Sequence, residues 1–102
     1  MYLSIATGEI VSLHQADDCT RLHLALQGIA IDGADAALRR AGLGEMRGHD
    51  GAILEVAALR ELAERVATES GWSEAWDAMI RYAGRKGWLS DDGRTVEVHV
   101  ER

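Results

Sequence analysis

Apolar and polar positions along the chain change period several times, and each change marks a predicted element. The opening, Tyr2-Leu3-Ser4-Ile5-Ala6, then Thr7-Gly8, then Glu9-Ile10-Val11-Ser12-Leu13, predicts two short strands around a glycine turn. The next segment carries two patterns at once. Leu22, Leu24 and Leu26 alternate as in a strand, whereas Cys19, Leu22, Leu26 and Ile29 follow helical spacing. Asp17 as an N-terminal cap and Gly28 with Ile29 as a left-handed stop favour the helix, over about residues 18–27. The same grammar recurs at once: Asp32 as cap, Gly42 as stop and Leu43 placed to touch Leu38 predict a helix over about 33–41.

Residues 44–51 are glycine-rich and polar and predict an exposed loop. Ala52-Ile53-Leu54-Glu55-Val56 predicts a short strand. Leu59, Leu62, Ala63, Val66 and Ala67 form a helical stripe ended by Gly71, and Ser73 is placed to cap a further helix running to about Lys86 and stopped by Gly87. Trp88-Leu89-Ser90, Asp91-Asp92-Gly93 and Arg94–Val100 then spell strand, tight turn and strand.

From residue 52 onward this order, strand, helix, turn, helix and hairpin, resembles a winged helix-turn-helix domain. Leu59-Arg-Glu-Leu-Ala-Glu-Arg-Val-Ala is similar to the family's second helix, and Arg85-Lys86-Gly87-Trp88-Leu89 followed by Asp92-Gly93 is similar to its passage from third helix into wing. The resemblance implies an α+β fold: helices with a short strand and a C-terminal two-stranded wing, added to the N-terminal strand pair. It also implies DNA recognition through residues 73–86.

Length and charge change that picture. At 102 residues the chain predicts one domain, with 1–51 holding the N-terminal strands and two helices and 52–102 the winged-helix-like half. Its formal charge of −6 repels nucleic acid and anionic membranes, and neither half is basic, at −4 for residues 1–56 and −2 for residues 57–102. The third helix sharpens the point. At 100° per residue it gathers Trp72, Trp76, Met79, Ile80 and Ala83 on one stripe, and Glu74, Asp77, Arg81 and Arg85 on the opposite face. In groove docking Glu74 and Asp77 would meet the phosphates first, so a solvated face with Asp77, Arg81 and Arg85 paired at i, i+4 is the simpler reading. The absence of a long apolar run, with a single cysteine, points to a soluble cytoplasmic protein without a membrane partner.

Candidate chemistry is sparse. Trp72, Trp76 and Trp88 cluster near one helix and supply bulk to a chain without phenylalanine; a ring left exposed beside Met79 or Tyr82 would instead mark a groove for a partner helix or an apolar ligand. Cys19, His23 and His14 have spacings that can reach one metal, but Cys19 falls in an apolar stripe, so a buried structural thiol and no metal are expected. Asp17-Asp18, Asp32/Asp35 and Asp91-Asp92 suit caps and turns before acid/base work, and His49 and Asp50 suit an exposed contact loop. No cofactor fingerprint is present. The sequence therefore predicts a non-catalytic, acidic binding or regulatory domain with a protein partner and scope for a homodimer. Its expected contact face is Glu74, Asp77, Arg81, Arg85 and, on the wing, Arg94. A DNA-binding regulator and a ligand-binding protein or small enzyme with a pocket of Trp72, Trp76 and Trp88 are the rivals.

Overall fold

In the computed structural model, which describes residues 1–102, the strand order in the sheet is not the one that a winged helix requires. The elements are β1 (Tyr2–Ala6), β2 (Ile10–His14), β3 (His23–Gln27), α1 (Ile31–Ala41), β4 (Gly44–Arg47), β5 (Gly51–Glu55), α2 (Val56–Glu64), α3 (Trp72–Arg85) and β6 (Thr95–Glu101). All six strands form one mixed sheet, ordered β2-β1-β3-β6-β5-β4 and curled into a half-barrel. β1 runs antiparallel to β2 and parallel to β3, β3 runs parallel to β6, and β6 and β4 run antiparallel to β5.

Strand alternation sorts the sheet into two faces. Leu3, Ile5, Leu24, Leu26, Ala52, Leu54, Val96, Val98 and Val100 are buried on one face, beneath Ala34, Ala37 and Leu38 of α1, Leu59 and Ala63 of α2, and Trp72, Trp76, Met79 and Ala83 of α3. The other face carries Tyr2, Ser4, His14, His23, Glu97, His99 and Glu101. No helix is long and apolar enough to cross a membrane.

The winged-helix expectation is overturned by β6. The predicted wing strand is an interior strand of the sheet, between β3 and β5, and its hairpin partner Trp88-Leu89-Ser90 makes only the bridge Leu89 to Val96. Val96, Val98 and Val100 are too apolar on one face to stand in a solvated wing, and burying each is worth roughly 1.5–3 kcal/mol. The helix expected over 18–27 is instead a turn followed by β3: strand pairing on both sides rewards the Leu24/Leu26 alternation, and Gly28 (φ 72°) turns the chain after a strand. Residues 44–51, expected as a loop, form β4, a turn and the start of β5.

Caps also differ from expectation. Ala30 precedes α1 and Gly71 precedes α3, neither helix has a side-chain cap, and Ser73 accepts a hydrogen bond from Arg60 instead (2.7 Å). Gly42 and Gly87 stop helices as expected, but α2 ends at Glu64, well before the expected stop at Gly71, which instead precedes α3. Gly42 (φ 70°) donates to Arg39 O and Leu43 N to Leu38 O, the paired bonds of a Schellman turn, with Leu38 and Leu43 both buried.

Gly44 has φ 146°, and a Cβ built there would lie 1.9 Å from the Ile53 carbonyl oxygen across the β4–β5 pair. Gly44→Ala should therefore destabilise the chain by about 3 kcal/mol or detach β4. Gly51→Ala, where the added Cβ meets its nearest atom at 3.4 Å, should cost less than about 1 kcal/mol. Equal denaturation midpoints for the two variants would contradict the β4–β5 register.

Candidate functional site

Trp88 owes its position to the way α3 ends. Gly87 (φ 82°) donates to Gly84 O and Trp88 N donates to Ala83 O (2.9 Å), the Schellman pattern already seen at Gly42 and Leu43. The residue after such a glycine folds back on the last helical turn. Leu43 does so into the core, but Trp88 does so at the surface, against Tyr82, with ring centroids 5.9 Å apart and edge to face. Glu97 N donates to Trp88 O (2.8 Å), which fixes the Trp88 backbone to β6. Both rings stay largely outside, Trp88 46 % and Tyr82 47 % exposed, whereas Trp76 is 1 % exposed.

Between Trp88 and the start of β3 lies an apolar groove of about 330 Å³. Leu22, Met79, Ile80, Tyr82, Ala83, Trp88, Val96 and Val98 line it, with Thr20, Arg21 and Glu97 at its borders. On the open face of the sheet a wider polar basin of about 740 Å³ begins where the groove ends, and the two share Leu22, Trp88, Glu97 and Val98. Arg47, His49, Asp50 and His99 line the basin. The groove is within the size range of sites that seat one bulky side chain or a small ligand.

The 15–22 turn, which supplies Leu22 and Arg21, is held by three anchors. Trp72 Nε1 donates to Ala16 O (2.7 Å) in the buried interior. The Asp17 carboxylate accepts from Thr68 N, Glu69 N and Thr68 Oγ1 (2.9–3.0 Å), and Asp18 Oδ1 accepts from Thr20 N (3.0 Å). The backbone amides of Glu69 and Thr68 hold Asp17, and the Thr20 hydroxyl and amide hold Asp18, below the usual carboxylate range.

The expected contact face divides. Asp77, Arg81 and Arg94 line a separate hollow of about 550 Å³, with Glu55 and Arg60. Asp77 pairs with Arg60 of α2 (3.0 Å) and not with Arg81, and Arg94 lies 3.6 Å from Glu55. Arg85 lies apart, over the Tyr82 ring at 5.7 Å, as does Lys86. Glu74 is exposed in the first turn of α3 and makes no ion pair. Trp72 and Trp76 are buried and pack against one another with centroids 5.5 Å apart and planes tilted by 32°, so of the three rings expected to line a pocket, Trp88 alone borders the groove.

Cys19, His23 and His14 do not converge. Cys19 lies in the turn, where burial pushes its thiol above the ordinary range, and no three His, Cys, Asp or Glu side chains come close enough to share a metal. The two histidines instead stack on opposite faces of Tyr2 at 4.7 and 5.0 Å. Ser4 Oγ lies 3.0 Å from His14 Nε2, and His23 Nε2 lies 3.3 Å from Glu101. This row was invisible in the sequence because it joins residues from β2, β1, β3 and β6. Asp35 ties α1 to β4 through Met46 N (2.8 Å), and Asp92 closes the turn before β6 through Arg94 N (3.0 Å).

Two outcomes follow from this geometry. Trp76→Ala should cost about 3–5 kcal/mol, whereas Trp88→Ala should cost about 1–2 kcal/mol and leave cooperative unfolding intact; equal losses in urea melts would contradict the assigned burial. Because the folded state holds the Asp17 and Asp18 carboxyls below their ordinary range, their contribution to stability is complete above about pH 5 and is lost as pH falls through about 4 and below. The amide signals of Thr20, Thr68 and Glu69 should titrate with midpoints below about 3.9, and midpoints at or above it would show that the clamps are absent. No protein-family model, no curated protein and no solved structure matches the chain, so its function is read from the chemistry of the groove itself.

Proposed function

We propose that the protein is a non-catalytic binding domain that captures a segment of a partner protein by seating a bulky apolar side chain in the groove beside Trp88. One observation carries this reading: Trp88 and Tyr82 stand about half exposed, in contact with each other on the wall of an apolar groove, while Trp72 and Trp76 are buried. A monomeric surface rarely leaves two adjacent aromatic rings in water without a use for them, and tryptophan, tyrosine and arginine dominate the energetics of protein interfaces. Met79 on the groove wall adds an unbranched, polarisable side chain that adapts to more than one insert.

The groove is also pre-formed. Its helical wall is fixed by the Schellman turn, its β6 wall by the bond from Glu97 N to Trp88 O, and its third wall by the clamps on the 15–22 turn. Binding then orders little of the protein, which lowers its entropic cost. The lining is predominantly apolar, which supports binding.

Selection from a random phage-displayed peptide library tests this. Against the wild-type chain it should enrich peptides with a bulky apolar residue, binding at roughly micromolar Kd. Trp88→Ala and Tyr82→Ala, each still folded by circular dichroism, should lose at least about tenfold in affinity for those peptides. Enrichment that is indifferent to both variants, or none at all, would refute the reading.

A further inference from the structure

The groove is rimmed by positive charge that the chain leaves unsatisfied. Arg39, Arg40, Arg60, Arg65 and Arg94 each have a carboxylate partner. Arg21, Arg47, Arg81, Arg85, Lys86 and Arg102 have none, although the chain holds 17 acidic residues against 11 basic ones. Three of these bear on the groove, and all three are exposed: Arg21 lines it on the turn before β3, and Arg85 and Lys86, at the end of α3, lie over the ring of Tyr82, which lines it. Both α3 cations lie 5.7 Å from the centre of the Tyr82 ring, which holds them beside the groove wall. Local sequence keeps them free: the residues one helical turn before Arg85 and Lys86 are Arg81 and Tyr82, so neither has an acid at i−4. Glu97 is the one carboxylate bordering the groove, and strand alternation with Val96 and Val98 aims it to the open face, on the basin side.

We infer that the partner segment is acidic, with carboxylates flanking the apolar side chain that enters the groove. The inference rests on the groove reading and gives it a chemistry. A bulky apolar side chain would contact Trp88, Tyr82, Met79 and Leu22, and its acidic neighbours would reach Arg21 and, beside Tyr82, Arg85 and Lys86. Rim charges of this kind set orientation and encounter rate and reject segments of the wrong sign. A basic segment would face three unpaired cations in place of three partners. The net charge of −6 opposes acidic chains at long range, so the preference depends on these local cations.

Fluorescence anisotropy with three labelled synthetic peptides of one length tests this. All three carry a central Trp-Leu pair, flanked by Asp/Glu, by Ser/Gln or by Lys/Arg. At low salt the acidic peptide should bind about tenfold or more tighter than the neutral one and the basic one weakest, with the acidic advantage largely lost by about 0.5 M NaCl. The double variant Arg85→Glu, Lys86→Glu should reverse the order of acidic and basic peptides, whereas Trp88→Ala should weaken all three. If acidic and neutral peptides bind alike and both need Trp88, the acidic preference is wrong and the groove reading stands. If no peptide binds better to the wild type than to Trp88→Ala, the groove reading falls and the preference with it. A single-stranded oligothymidylate that outcompetes the acidic peptide would make phosphate the preferred anion and overturn the assignment of a protein segment.

Discussion

The structure depends on the placement of β6. This strand joins two units that are otherwise separate in pairing: β2-β1-β3 on one side and β5-β4 on the other. It does so with two kinds of ladder, five antiparallel residue pairs to β5 and three parallel pairs to β3. Val96, Val98 and Val100 favour the joining, because all three are buried in the core only with β6 inside the sheet, the first two paired to β5 and the last to β3. The chain supplies the required crossover through α2 and α3, whose buried stripes then cover the face they cross.

The groove is a by-product of that joint. β3 begins where the Trp88-Leu89-Ser90 segment gives out along the same edge of β6, with the bridge from Leu89 to Val96 on one side and the pair His23 to His99 on the other. Leu22 and Trp88 are the residues that face each other across the gap. The two helix stops show how one local device gives opposite results: Gly42 folds Leu43 into the core, and Gly87 folds Trp88 onto the rim. Whether the residue after the glycine is buried depends on what tertiary structure stands opposite it. For Leu43 that is α1 over the sheet, and for Trp88 it is the open space before β3.

Local signals were readable in proportion to how local their physics is. The N-terminal strand pair, the stripe of α3, both glycine stops and the Asp92-Gly93 turn depend on neighbours within a few residues, and all have structural counterparts. The stretch 18–27 predicts a helix yet contains β3, because its alternation and its helical spacing are locally equivalent. Pairing with β1 and β6, from either end of the chain, decides between them. β4 escaped notice because Gly44-Glu45-Met46-Arg47 has almost no strand propensity of its own; pairing with β5 and the contact between Asp35 and Met46 N hold it. The site was half legible. An exposed ring beside Met79 or Tyr82 was the expected mark of a groove, but nothing near Trp88 in sequence could show that Leu22 and Arg21 stand opposite. The ion pair between Asp77 and Arg60 was likewise hidden, because it links two helices.

The most direct test of the account is the set of cross-strand nuclear Overhauser effects at β6 in solution. The account predicts parallel contacts linking His23–Ala25 to His99–Glu101, antiparallel contacts linking β5 to β6, and a close approach of Trp88 to Glu97. A helical pattern of i, i+3 contacts across 18–27, with β6 paired only to Trp88–Ser90 as a wing, would contradict the fold and remove the groove with it.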